Sequence, residues 1–132
     1  MFFPSYSDIA AITARVALGL LFLPHGWPKI KNVKATIAFV KGTGWPGGAT
    51  FAVLFTLLEF FGGIALIVGF LTQFVALLFI LEMAATTVFA KQKLGKKYIT
   101  GYELDVAFLL LALVVLLLGS GPWSLDRVLG FA

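Results

Sequence analysis

Apolar residues fill four stretches of the chain, about 8–24, 49–70, 71–90 and 101–119. Each is long enough to cross a bilayer as a helix, which takes about 20 residues. Ser7 or Asp8 offers an N-cap for the first stretch, and Pro24 and Pro28 are expected to close it. Only GFLTQ separates the cores of the second and third, so these two form a tight antiparallel hairpin. In KIKNVKATIAFVK, residues 29–41, Ile30, Val33, Ile37 and Val40 fall near one helical face with the lysines mostly elsewhere. That pattern predicts a short amphipathic helix lying in the membrane interface, with an irregular basic loop as the alternative. The turn-rich KGTGWPGG follows as a connector. The second and fourth stretches each carry a glutamate, yet LEFFGGIALIVGF and YELDVAFLLLALV share little else, and no duplication is read from them. Gly62, Gly63, Gly69, Ala84 and Ala85 allow close helix contact. The expected fold is all-α: one integral membrane four-helix bundle over residues 1–132, with a short interfacial amphipathic helix between spans one and two.

Composition agrees with that reading. Hydrophobic residues make up 61 % of the chain and charged ones 12 %, with a mean hydropathy of +1.04, well outside the soluble range. A net charge of +4 raises nucleic acid as a partner, but eight of the ten basic residues are lysines confined to 29–41 and 91–97, between the apolar runs. Lysines so placed face an anionic leaflet, so the lipid bilayer is the expected partner and nucleic acid is not. The positive-inside rule puts both basic loops in the cytoplasm and both termini outside the plasma membrane. MFFPSYSDIA has no basic residue ahead of the first apolar run and no small-residue cleavage site follows, so that run is expected to be a permanent span. The absence of cysteine removes thiolate nucleophiles, iron–sulfur clusters and covalent haem attachment from this chain.

The informative residues are the ionisable ones within spans, each costing at least about 2.5–3.5 kcal/mol at a helix centre on insertion scales. Arg15, Glu59 and Glu82 lie well inside; His25, Lys29, Glu103 and Asp105 lie near the lysine-bearing ends. At a rise of about 1.5 Å per residue, Arg15 is about 10 Å from one face and Glu59 about 15 Å from the other. The two are therefore expected to meet as a structural ion pair. Glu82 is then left over at mid-depth, sharing Arg15, holding a proton, or facing a polar cavity. His25 and Glu103 are expected at equal depth at the ends of spans one and four. Three glutamates against Arg15 and Lys29, with His25 as a third optional positive charge, can be neutral in more than one protonation state, as a proton-handling site requires. The plainer reading of a lone histidine at a helix end is a cap or a structural hydrogen bond. One histidine without an EXXH pair is a poor metal or b-type haem site, and no metal is expected.

The ordered series ARVALGLLFLPHGWPKI, LEFFGGIALIVGFLTQ, LEMAATTVFA and GYELDVAFLLLALVVLLLGSGPWSLD resembles the DoxX family of small four-helix membrane proteins over nearly the whole chain. DoxD-like relatives of that family include the membrane subunit of thiosulfate:quinone oxidoreductase. The matching polar positions are Arg15, His25, Gly26, Lys29, Glu59, Glu82, Tyr102, Glu103 and Asp126. The resemblance implies a membrane subunit of a respiratory or sulfur-compound-oxidising redox complex, with other subunits or further copies of the chain as partners. Without cysteine, any covalent sulfur intermediate would need a partner's thiol. Within that frame a quinone is the expected cofactor, bound by His25, Lys29, Tyr102 and Glu103, with His25, Glu103 and Glu82 as candidate proton-transfer groups. Two alternatives stand beside a quinone-reactive subunit: a non-catalytic assembly subunit of a larger oxidase or oxidoreductase, and a small-molecule or ion permease.

Overall fold

The computed structural model describes residues 6–132, so the N-terminal residues 1–5, which belong to the permanent-span expectation, lie outside it. Every regular element among the described residues is helical. Four helical segments are long and apolar enough to span a membrane: Ser7–Lys31, Gly48–Val68, Thr72–Gln92 and Tyr98–Leu118. The all-α four-span architecture is thus as expected, and the second, third and fourth segments fall within three residues of their expected bounds.

The first span differs. Helix α1 runs from Ser7 to Lys31 and carries Pro24 and Pro28 inside it, where the sequence led us to expect its end. Proline removes one N–H and thus one i→i−4 bond, a local cost that packing against a neighbouring helix can offset. Here Phe22 and Gly26, on either side of Pro24, are both buried against the bundle. As a consequence the amphipathic helix α2 begins later, at Val33, and ends at Gly42. Asn32 caps it, its Oδ1 accepting from Ala35 N at 3.1 Å.

The second span is built of α3 (Gly48–Leu57), a π-helical turn (Leu58–Gly62) and α4 (Gly63–Val68). A turn of only Gly69–Leu71 leads to α5 (Thr72–Gln92), with Gly69 at φ 76° and Leu71 at φ 49°. An irregular turn, Tyr98–Tyr102, precedes α6 (Glu103–Leu118), with Ile99 extended and Thr100 left-handed. A short helix that the hydropathy pattern does not announce, α7 (Leu125–Leu129), follows. Chain order makes two hairpins, α1 with the second span and α5 with α6. They meet over Phe22, which stacks on Phe79 at 3.8 Å and touches Phe108 at 5.2 Å. Leu18, Leu66, Ala76, Ala112 and Val115, all fully buried, extend this core.

Candidate functional site

The buried charges divide between two places. At the end of the bundle formed by the Gly69–Leu71 turn, Arg15 is 2 % exposed. Its Nη1 donates to the carbonyls of Leu66 and Ile67, each at 3.2 Å, and its Nη2 to Trp123 O at 2.8 Å; Nε has no partner. The first two acceptors belong to the last turn of α4, where the unpaired carbonyls and the dipole both favour a cation. Gly69 is obligatory beside it. Its φ is positive, and a Cβ there would collide with the guanidinium and with Ser124 Cβ. The buried Asp126 answers from α7: its carboxylate accepts from Leu71 N at 2.6 Å and Thr72 N at 3.0 Å, covering the orphan donors at the start of α5. Asp126 N in turn donates to Gly69 O at 2.8 Å. Ser124 caps α7 by accepting from Arg127 N.

This arrangement corrects the expected Arg15–Glu59 ion pair. Glu59 is engaged by Lys29, Nζ to Oε2 at 2.6 Å, the one ion pair among the described residues. The expectation placed both charges by depth along their own helices and closed α1 at Pro24. With α1 continuing past Pro28, Lys29 stays on the helix and its long side chain reaches back towards the middle of the bundle. Gly26 brings the two elements close enough: a Cβ at this position would lie 2.6 Å from Phe60 N and 2.8 Å from Glu59 C. Lys29, three residues further along the same helix face, then meets the carboxylate that the π-helical turn carries. The spacing GWPK held that signal, since a close-approach residue and a cation at i, i+3 share a face; proline's usual role as a stop obscured it.

Glu82 is the second member of this inner group. It lies at the midpoint of α5, ten residues from either end, or about 15 Å. It is 1 % exposed; no N–H or hydroxyl group donates to its carboxyl oxygens, and its side-chain hydrogen-bond partner is the Glu59 carboxyl, a contact that needs one proton between the two acids. The charged groups that act on it are Glu59, Lys29 and Asp105. Of the three fates open to Glu82, sharing Arg15 is therefore removed. A single ammonium group, already bound to Glu59, faces two carboxyl groups from opposite hairpins.

No hydrogen bond or ion pair joins His25 to Glu103 among the described residues. His25 is exposed at its position on α1, stands edge-on to Phe108 at 5.6 Å, and lies within electrostatic reach of Asp105. Asp105 and Phe108 are i, i+3 on α6 and share the face turned to α1, whereas Glu103, two residues before Asp105, points elsewhere. Glu103 Oε1 accepts from Thr100 N at 2.7 Å, holding the left-handed threonine in its turn. Tyr102 packs on Tyr98 at 5.4 Å, and Glu103 lines a shallow groove with Tyr98 and Thr100. Sequence reasoning noted Asp105 without giving it a role; its phase relative to Phe108 was the available clue.

Comparison with known proteins follows the same architecture. The DoxX family profile matches residues 10–92. Over 128 residues the chain is 34 % identical to "Inner membrane protein YqjF" of Escherichia coli K12, covering 92 % of this chain and 93 % of that protein. It is 29 % identical to "Putative oxidoreductase CatD" of Bacillus subtilis 168, covering 90 % of this chain and 86 % of that protein. It is 28 % identical to "Inner membrane protein YphA" of Escherichia coli K12, covering 95 % and 94 %. No solved structure matches the chain significantly.

Proposed function

The chain belongs to the DoxX family, and from that premise we propose that it is a plasma-membrane subunit of a respiratory or sulfur-compound-oxidising redox system, whose inner acid group exchanges protons for a quinone-class acceptor. One observation carries the reading: Glu82 is buried at mid-span with no N–H or hydroxyl donor and only the Glu59 carboxyl as partner, beside a Lys29–Glu59 pair whose lysine is 39 % exposed. Two buried carboxyl groups that share a proton and one partly exposed ammonium make a weak fastener beside an apolar pair, so their presence in the interior points to chemistry. The relative named as an oxidoreductase supports the redox class.

The donor set suits a quinone head group, which takes up two electrons and two protons on reduction. Lys29 offers a cation, Glu82 a carboxyl group free to give or take a proton, and Glu59 a relay between them. Lys29 links this relay to the lysine-rich face. His25 and Asp105 add a second titratable pair on the α1–α6 side of the bundle. Electrons pass between the acceptor and a partner subunit. By the positive-inside rule the lysine-rich face is cytoplasmic; single cysteines at Thr43 and Lys96, probed on intact cells with an impermeant reagent, test this, and strong labelling of both from outside reverses it.

A purified protein titrated with a short-chain benzoquinone tests the function itself. Wild type is expected to bind it saturably, and Glu82→Gln to bind at least tenfold more weakly with an unchanged melting temperature. Equal binding by both, or none by either, overturns the reading. A second reading, a non-catalytic assembly subunit, is favoured by the fourth span: 17 % of its most apolar window is buried, against 33–39 % in the other three, leaving an apolar face for a partner subunit or a second copy.

A further inference from the structure

A groove of about 500 Å³ runs between α1 and the second span, lined by Leu23, Pro24, Trp27, Phe60 and Ile64, all apolar. Its floor exists because Gly26 lets α1 settle onto the π-helical turn beside it. Trp27 and Phe60 stack at 5.8 Å and line one end of the groove. Lys31 stands at that end, its Nζ 5.3 Å from the centroid of the Trp27 ring. It makes no ion pair among the described residues.

From Leu23 to Lys31 the helix rises about 12 Å, so an apolar trough at span depth leads directly to an unpaired ammonium group beside a tryptophan. Tryptophan and lysine mark the headgroup level of a bilayer. We propose that this groove is a binding site for an anionic phospholipid, with one acyl chain lying over Leu23, Pro24, Phe60 and Ile64 and the phosphate held by Lys31. Charge complementarity selects the lipid class: the groove alone accepts any acyl chain, whereas the lysine at its mouth discriminates an anionic headgroup from a zwitterionic one. The stacked Trp27 fixes both parts, offering its face to Lys31 and its edge to the chain.

The site is tested with Trp27 as the reporter. A Trp45→Phe/Trp123→Phe protein keeps Trp27 as its single tryptophan. It is reconstituted in phosphatidylcholine vesicles containing increasing fractions of either phosphatidylglycerol or phosphatidylcholine with brominated acyl chains, which quench tryptophan on contact. Half-quenching is expected at an about fivefold lower fraction of the anionic lipid, the preference one lysine near the surface confers. Lys31→Gln should abolish the preference, and Lys34→Gln, which lies outside the groove, should leave it intact. Equal quenching by the two lipids overturns the proposal. So does a loss as large in Lys34→Gln as in Lys31→Gln, which would mean a diffuse basic surface. Should the double tryptophan replacement fail to fold, native mass spectrometry of the otherwise unaltered protein and Lys31→Gln decides the matter: phosphatidylglycerol retained by both to the same extent overturns the site, and retention lost only in Lys31→Gln supports it.

Discussion

Arg15 and Glu82 are two buried ionisable residues that hydropathy alone treats alike, and the bundle treats them in opposite ways. Arg15 spends its terminal nitrogens on three carbonyls and lies beside Asp126, which itself closes the start of α5. Glu82 receives no hydrogen bond from any N–H or hydroxyl group, and its one hydrogen-bond partner is a second acid, Glu59. A buried ion that is saturated by main-chain groups from several elements is a fastener, and removing it undoes structure. A buried acid whose only partner is a second acid is held by a shared proton and not by main-chain groups, so it contributes little to the fold and its proton can move. The difference between a fold-defining charge and a working one therefore lies in what surrounds it and not in its depth.

The largest expected effect breaks the fastened end. Arg15→Met leaves the carbonyls of Leu66, Ile67 and Trp123 without their buried donor, and should cost about 3–5 kcal/mol. A steep fall in melting temperature and in the yield of monodisperse protein in mild detergent would show this. Next comes the Gly26→Ala change, whose Cβ would meet the backbone of Glu59 and Phe60. Forcing α1 off the π-helical turn should cost about 1–3 kcal/mol by overpacking and weaken the Lys29–Glu59 contact with it. Removing Lys29 alone, as Lys29→Met, should destabilise by about 1–2 kcal/mol, below a fully buried pair because the lysine is partly exposed. Much of that loss should return in Lys29→Met/Glu59→Leu, since the second change removes the stranded carboxylate. A double-mutant cycle between Arg15 and Glu59 sharpens the comparison further. The two belong to separate sites, so their effects on melting should add within about 0.5 kcal/mol. Coupling above 1 kcal/mol would merge what the structure separates. The smallest effect is expected from Glu82→Gln, whose amide N–H can still donate to the Glu59 carboxylate, and it should shift stability by less than about 1 kcal/mol.

Hydrophobic patterning made the spans legible because length and apolarity are properties of each segment taken alone. The amphipathic helix was legible for the same reason, apart from its start. Partner choice was not. Whether Arg15 meets Glu59 depends on the register of α1 on the second span: Gly26 sits on Glu59 and Phe60 and Gly19 on Gly63 and Ile67, which leaves Arg15 at Leu66 and Ile67. The two prolines that conventionally stop a helix are here carried inside it by packing against the second span. That continuation alone keeps Lys29 on α1 and hands Glu59 to it. The His25–Glu103 expectation rested on equal depth, which says nothing of rotation about the helix axis; two residues along α6 separate Glu103 from the face that Asp105 and Phe108 turn to α1. The role of Asp126 was hidden for another reason: α7 is five residues long, too short for periodicity to show, and its aspartate works on an element 54 residues earlier.

The protonation of Glu82 during redox cycling separates the two buried charges most directly. An infrared difference spectrum, recorded on the purified protein as a bound short-chain quinone is reduced and reoxidised, should contain a carboxylic-acid C=O band. That band should vanish in Glu82→Gln, while the Arg15-centred end keeps the melting temperature at the wild-type value. A band that persists unchanged in Glu82→Gln, or a wild-type spectrum without any carboxylic-acid change, would contradict a proton-exchanging role for this residue.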